Sequence, residues 1–227
     1  MSAQDGEIIP DVQLEDNTNQ RTPCIVVCDG SRSMLDEGRI DRLNDGLKAL
    51  EGALKEDPTA RGRVQVAVLR FGERDAVETL TDWTDAATFT APTVQANGVT
   101  PLGRAMDEAL SMLETRKEQY KANGIPYTRP WLFAISDGLP SDDWEAAARR
   151  CVEAEEAGRV VVWPVGVGDA DLDVLRRFTA AERGAIRLDA AQWTEMFLWL
   201  SRSLSAVSQS KEGDTVQLPA PKWTVQA

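Results

Sequence analysis

The sequence predicts an α/β fold: a doubly wound, mostly parallel sheet with helices on both faces and one antiparallel edge strand. Three observations carry that expectation. Short apolar, β-branched runs alternate with segments whose apolar residues recur every three or four positions. The first run, residues 23–29, is largely apolar, as expected of a strand covered on both sides. No internal repeat breaks the order β-α-β-β-α-β-α-β-α-β-α.

Each element follows from its own pattern. After the strand at 23–29 and the stretch CDGSRSM, the residues Ile40, Leu43, Leu47, Leu50 and Leu54 form one face of a helix. Asp57-Pro58 closes it. Residues 64–71 are the second strand, and 76–83 pair with it as a hairpin through Gly-Glu-Arg-Asp. A Pro/Thr/Asn-rich loop, 88–100, leads to Pro101, suited to the first position of a helix. Leu102, Ala105, Met106, Ala109, Leu110 and Leu113 mark that helix's buried side, and the charged residues 115–121 its solvated end.

Residues 131–136 are the next strand. Ser141-Asp-Asp caps a helix whose inner face carries Trp144, Ala148, Cys151 and Val152. A strand at 160–165, a tight turn at Gly166-Val-Gly168, a helix at 171–178 and a short strand at 185–188 follow. The last helix shows Trp193, Met196, Phe197, Leu200, Leu204 and Val207. The domain is expected over residues 22–208, between extended arms at 1–21 and 209–227. Trp223 and the Val216-Gln-Leu218 alternation predict that the second arm packs on the domain. The seven tryptophans read mainly as core and arm anchors.

Composition excludes several functions. A net charge of −12 over 227 residues argues against nucleic acid or an anionic membrane as partner. The chain has no histidine, which removes Ser-His-Asp and Cys-His hydrolases and any imidazole-based zinc site. No phosphate-cradling G-x-x-x-x-G-K-[ST] loop is present. Cys24 and Cys28, four apart on one strand, lie roughly 13 Å apart at about 3.3 Å per residue, too far to bridge. Cys151 falls in a helical pattern. The first twenty residues lack the apolar core of a signal peptide, so a cytoplasmic location is expected.

Polar groups collect where strands end, the place at which open α/β sheets bind ligands. The first strand ends in Asp29-Gly-Ser31-Arg-Ser33, the fourth in Asp137, and the loop before the second long helix in Thr100. Each alone is an ordinary turn or cap residue. Together, two carboxylates and three hydroxyls are hard oxygen donors in a number that fits an octahedral cation with room for water. Arg32 inside the motif either faces solvent or stands beside the site.

The D-x-S-x-S segment, the threonine before a helix and the stretch Ile135-Ser-Asp-Gly-Leu-Pro-Ser-Asp142 resemble the von Willebrand factor A domain over about residues 22 to 208. The resemblance is nearest to the bacterial TerY-like tellurite-resistance branch, on Ser136 to Asp142 and the tail Gly213 to Pro219. It implies a metal-ion-dependent adhesion site (MIDAS) holding Mg²⁺ or Mn²⁺. Ser31, Ser33 and Thr100 would be hydroxyl ligands, and Asp29 and Asp137 would bind directly or through water. One position would stay open for an acidic residue of a protein partner, an associated kinase or phosphatase in a bacterial stress or metal-resistance system. The protein is then a binding module, not an enzyme. The alternative is Mg²⁺-dependent phosphoryl transfer on Asp29, a chemistry that wants a second carboxylate where Ser31 stands.

Overall fold

All eight residues of the first strand, β1 (Thr22–Asp29), are buried. Its run of Cys, Ile and Val leaves neither face with a group that needs water. The computed structural model describes residues 19–73, 76–137, 139–182, 184–210 and 216–220. β1 is joined by β2 (Val64–Phe71), β3 (Val77–Asp85), β4 (Trp131–Ser136), β5 (Val161–Val167) and β6 (Ile186–Leu188). The order across the sheet is β3-β2-β1-β4-β5-β6. β3 is antiparallel to β2 at one edge, and the other pairings are parallel. This is the predicted mostly parallel sheet.

Helices cover both faces, because successive β1 side chains point opposite ways. Cys24, Val26 and Cys28 pack with α1 (Arg39–Glu56), α2 (Pro58–Arg63) and α6 (Trp193–Ser208). Ile25 and Val27 pack with α3 (Leu102–Ala122), α4 (Glu145–Glu156) and α5 (Leu172–Leu175). On the first face Trp163 stands 5.3 Å from Trp131 and 5.1 Å from Trp199, ring centre to ring centre. The Trp199 indole donates to the Pro219 carbonyl at 2.7 Å, and Val216 and Leu218 rest on the same core. Trp223 and residues 1–18 lie outside the described residues.

Three local expectations need correction, at Pro101, at Ser141-Asp-Asp and at residues 115–121, and a fourth, at Asp57-Pro58, holds and is extended. Asp57-Pro58 ends α1 but also starts α2: the Asp57 carboxylate accepts from the Thr59 and Ala60 amides at 2.8 and 3.0 Å, with Pro58 at the first helical position. Pro101 precedes α3 instead of opening it, and Asp142 takes the orphan amides of Gly103 and Arg104 at 3.1 and 2.8 Å. Ser141-Asp-Asp therefore caps α3 from across the structure, while α4 begins after Trp144 with no side-chain cap.

The third concerns residues 115–121, which are not solvated throughout. Arg116 and Tyr120 are buried, 4% and 0% exposed. They turn inward because Gln65 lies on the buried strand β2 and its amide oxygen needs donors. Arg116 supplies Nε and Nη2 at 3.1 and 2.9 Å, and the Tyr120 hydroxyl supplies a third.

Candidate metal centre

In the order β3-β2-β1-β4-β5-β6, the chain winds one way from β1 and the other way from β4. The crevice at this switch lies at the carboxyl ends of those two strands. β1 ends in Asp29 and β4 in Ser136. Asp29 is 0% exposed, Ser31 2%, Asp137 5% and Thr100 8%.

Four of the five predicted residues meet in one hydrogen-bonded cluster. The Ser31 amide donates to Asp29 Oδ1 at 2.7 Å. The hydroxyls of Ser31 and Ser33 lie 3.0 Å apart, and Ser33 Oγ donates to Asp137 Oδ1 at 2.7 Å. Asp29 Oδ2 accepts from Ser136 Oγ at 2.6 Å and from the Asp137 amide at 3.4 Å. Burial pushes the Asp29 carboxyl up to about 6, with Asp137 adding a little and the bonds from Ser136 and Ser31 opposing.

Thr100 shares no hydrogen bond with these four among the described residues. It is held through its main chain: its amide donates to Ser141 Oγ at 3.1 Å, and its carbonyl accepts from the Ser141 amide at 2.8 Å. The loop that carries it is tied to the first one. Asn97 N–H donates to the Gly30 carbonyl at 2.6 Å, and Arg32 N–H to the Gly98 carbonyl at 3.3 Å. Arg70 on β2 anchors the loop further, donating to the Gln95 carbonyl at 2.7 Å and to the Asn97 side chain.

That closeness explains Gly30. A Cβ there would lie 2.5 Å from Arg70 Nε and 2.7 Å from the Gln95 carbonyl. Arg32 is exposed and faces solvent.

Sequence reasoning missed two residues. In the sequence Ser136 is only the last residue of the strand before Asp137, yet it is a principal partner of Asp29. Arg39 carries no motif in the sequence but is 9% exposed, and its Nη1 lies 2.9 Å from Asp137 Oδ2. Its Nη2 meets Glu37 at 3.2 Å. Two left-handed residues, Glu37 (φ 52°) and Gly38 (φ 66°), turn the chain into α1 just before it. Gly168 makes room, since a Cβ there would stand 2.3 Å from the guanidinium carbon. No spacing in the sequence signals a side chain that reaches back in this way.

The donor set is all oxygen. Among the described residues no cluster of three or more carboxylates or thiols exists, so a cation here would lean on hydroxyls. Each carboxylate oxygen has more than one lone-pair direction, so Asp29 and Asp137 keep acceptor capacity for a cation or its water. The residues present fit a small, hard divalent ion.

A sequence profile of the von Willebrand factor type A domain matches residues 24–197. No curated protein matches the chain. Among solved structures, the pilus adhesin SpaC from Lactobacillus rhamnosus GG is similar at TM-score 0.65 and 14% identity, over 84% of this chain and 32% of that one. A von Willebrand factor type A structure from Catenulispora acidiphila gives 0.62 at 18% identity, over 83% and 43%. Proximal thread matrix protein 1 from the mussel byssus, with a zinc-occupied MIDAS motif, gives 0.54 at 15%, over 83% and 49%. The chain spans less than half the length of each, and likeness at these identities is one of fold.

Proposed function

The chain belongs to the von Willebrand factor type A domain family, and on that premise we propose that it is a metal-dependent protein-binding module. Asp29, Ser31, Ser33, Thr100 and Asp137 would hold Mg²⁺ or Mn²⁺ there. The observation that carries this reading is the convergence of Asp29, Ser31, Ser33 and Asp137 at the β1/β4 switch point with oxygen donors alone. Oxygen donors favour Mg²⁺ or Mn²⁺ over zinc, which prefers nitrogen and sulfur. A relative of the same fold carries zinc in its MIDAS motif, which supports a divalent ion of some kind.

The metal supplies charge, and this chain's residues decide how much of it is compensated. Neutral hydroxyls compensate none, and Arg39 already pairs with Asp137. A partner's Asp or Glu is therefore drawn to the site as a charge-assisted contact. What speaks against the phosphoryl-transfer alternative is Ser31, which stands where that chemistry wants a second carboxylate and pairs with Ser33 instead.

The finer placing in the TerY-like tellurite-resistance branch rests on the sequence alone, on Ser136 to Asp142 and the tail at 213–219, of which 213–215 lie outside the described residues. A kinase or phosphatase partner belongs to the same reading. So does a cytoplasmic location, to which three buried free thiols are suited. Among the described residues no helix is long and apolar enough to cross a membrane.

The test is a titration against a partner recovered by pull-down in Mg²⁺. Thr100→Ala and EDTA should each weaken the complex about 30-fold or more, the loss expected for truncating a buried charged contact. Affinities equal within about twofold would mean that the partner docks elsewhere. Purified protein with Mg²⁺ should hydrolyse neither ATP nor phosphomonoesters above background. Turnover abolished in Asp29→Ala would instead make it an enzyme.

A further inference from the structure

Among the described residues three large apolar side chains stand exposed: Leu35 at 57%, Val99 at 46% and Leu139 at 62%. All three lie on the loops of the candidate metal centre. Leu35 follows Ser33 by two residues, Val99 directly precedes Thr100, and Leu139 follows Asp137 by two. Scattered single apolar residues on a surface need no explanation, but concentration on one rim does. Packing does not supply one: Met34 fills the core while its neighbour Leu35 faces out.

We propose that Leu35, Val99 and Leu139 form an apolar collar around the site, which selects a protein segment bearing one Asp or Glu flanked by aliphatic or aromatic side chains. This rests on the metal-dependent reading above and names the partner's chemistry. Charge narrows the choice. The chain carries −12 overall; Asp36 and Asp143 are exposed on the same loops, Glu37 beside them pairs with Arg39, and Arg32 is the one cation within CDGSRSM. A segment with further acids is repelled, so general electrostatic attraction does not hold the partner. The contact left is one carboxylate on the metal, and an apolar ring strengthens it by excluding water. The collar thus supplies both affinity and selection against acids in a polar context.

A phage-displayed library of random peptides, selected on the immobilised chain in Mn²⁺, provides the probe. Enriched peptides should carry one Asp or Glu with apolar residues within two positions, and EDTA should release them. The double variant Leu35→Ser, Leu139→Ser changes exposed side chains and leaves the fold intact. It should bind the best synthetic peptide about tenfold or more weakly, while its Mn²⁺ affinity by calorimetry stays within about twofold of wild type. Enrichment of acids without an apolar preference, unchanged peptide affinity in the double variant, or no enrichment at all overturns the collar. In each of those cases intact Mn²⁺ binding leaves the metal reading standing. Wild-type protein that fails to bind Mn²⁺ overturns both.

Discussion

A carboxyl sealed from water among neutral donors keeps its proton longer than a free one, and Asp29 is such a group, raised from an ordinary 3.8 to about 6. Its folded-state value lies above its unfolded one, so the metal-free protein loses stability as pH rises through this window. In EDTA, Asp29→Asn should gain on wild type by about 1–2 kcal/mol between pH 5 and 7, a few degrees in Tm. A constant difference across that range would place the proton elsewhere. Arg39 acts in the opposite sense to a metal. Arg39→Met leaves Asp137 without its buried counter-ion and should lower the melting temperature in EDTA. The same variant should bind Mg²⁺ about tenfold more tightly, because a cation a few ångströms away is gone. Parallel titrations of the two proteins check this. The candidate ligand residues were legible because strand ends are visible in the sequence. Arg39 was not, because only the left-handed turn at 37–38 and the space at Gly168 aim it inward.

At the scale of elements, the loop ahead of α3 is held by groups far away in the chain. Asp142 caps α3 through Gly103 and Arg104, and Ser141 clasps the main chain of Thr100. Losing such a cap costs about 0.5–2 kcal/mol, so Asp142→Ala should lower Tm by about 2–6 °C, with Asp143→Ala as a neutral control. Equal melting of both variants would remove Asp142 from that role. Strand and helix positions were readable from apolar periodicity, which depends only on neighbours in sequence. Capping in trans was unreadable for the same reason. Ser141-Asp-Asp looked like the start of α4 because it stands just ahead of it, and the buried Arg116 looked solvated because its acceptor, Gln65, lies 51 residues away.

Across the whole molecule, β1 is both the centre of the core and the platform of the site. Cys24 and Cys28 on β1, and Cys151 on α4, are buried, and burial pushes all three thiols up. None should react with a thiol reagent until the domain unfolds, and all three should react in denaturant. Fast labelling of any one in native protein would show that the layer over it opens locally. The sheet order places Asp29 and Asp137 at adjoining strand ends, which the alternation of elements foretold. The central claim is that they and their hydroxyl neighbours hold a metal. Calorimetric titration of Mn²⁺ into wild type, Asp29→Ala, Asp137→Ala and Thr100→Ala tests it most directly. One site is predicted in wild type, lost in both aspartate variants and weakened in Thr100→Ala. Equal affinity in all four proteins, or none in wild type, would contradict the account.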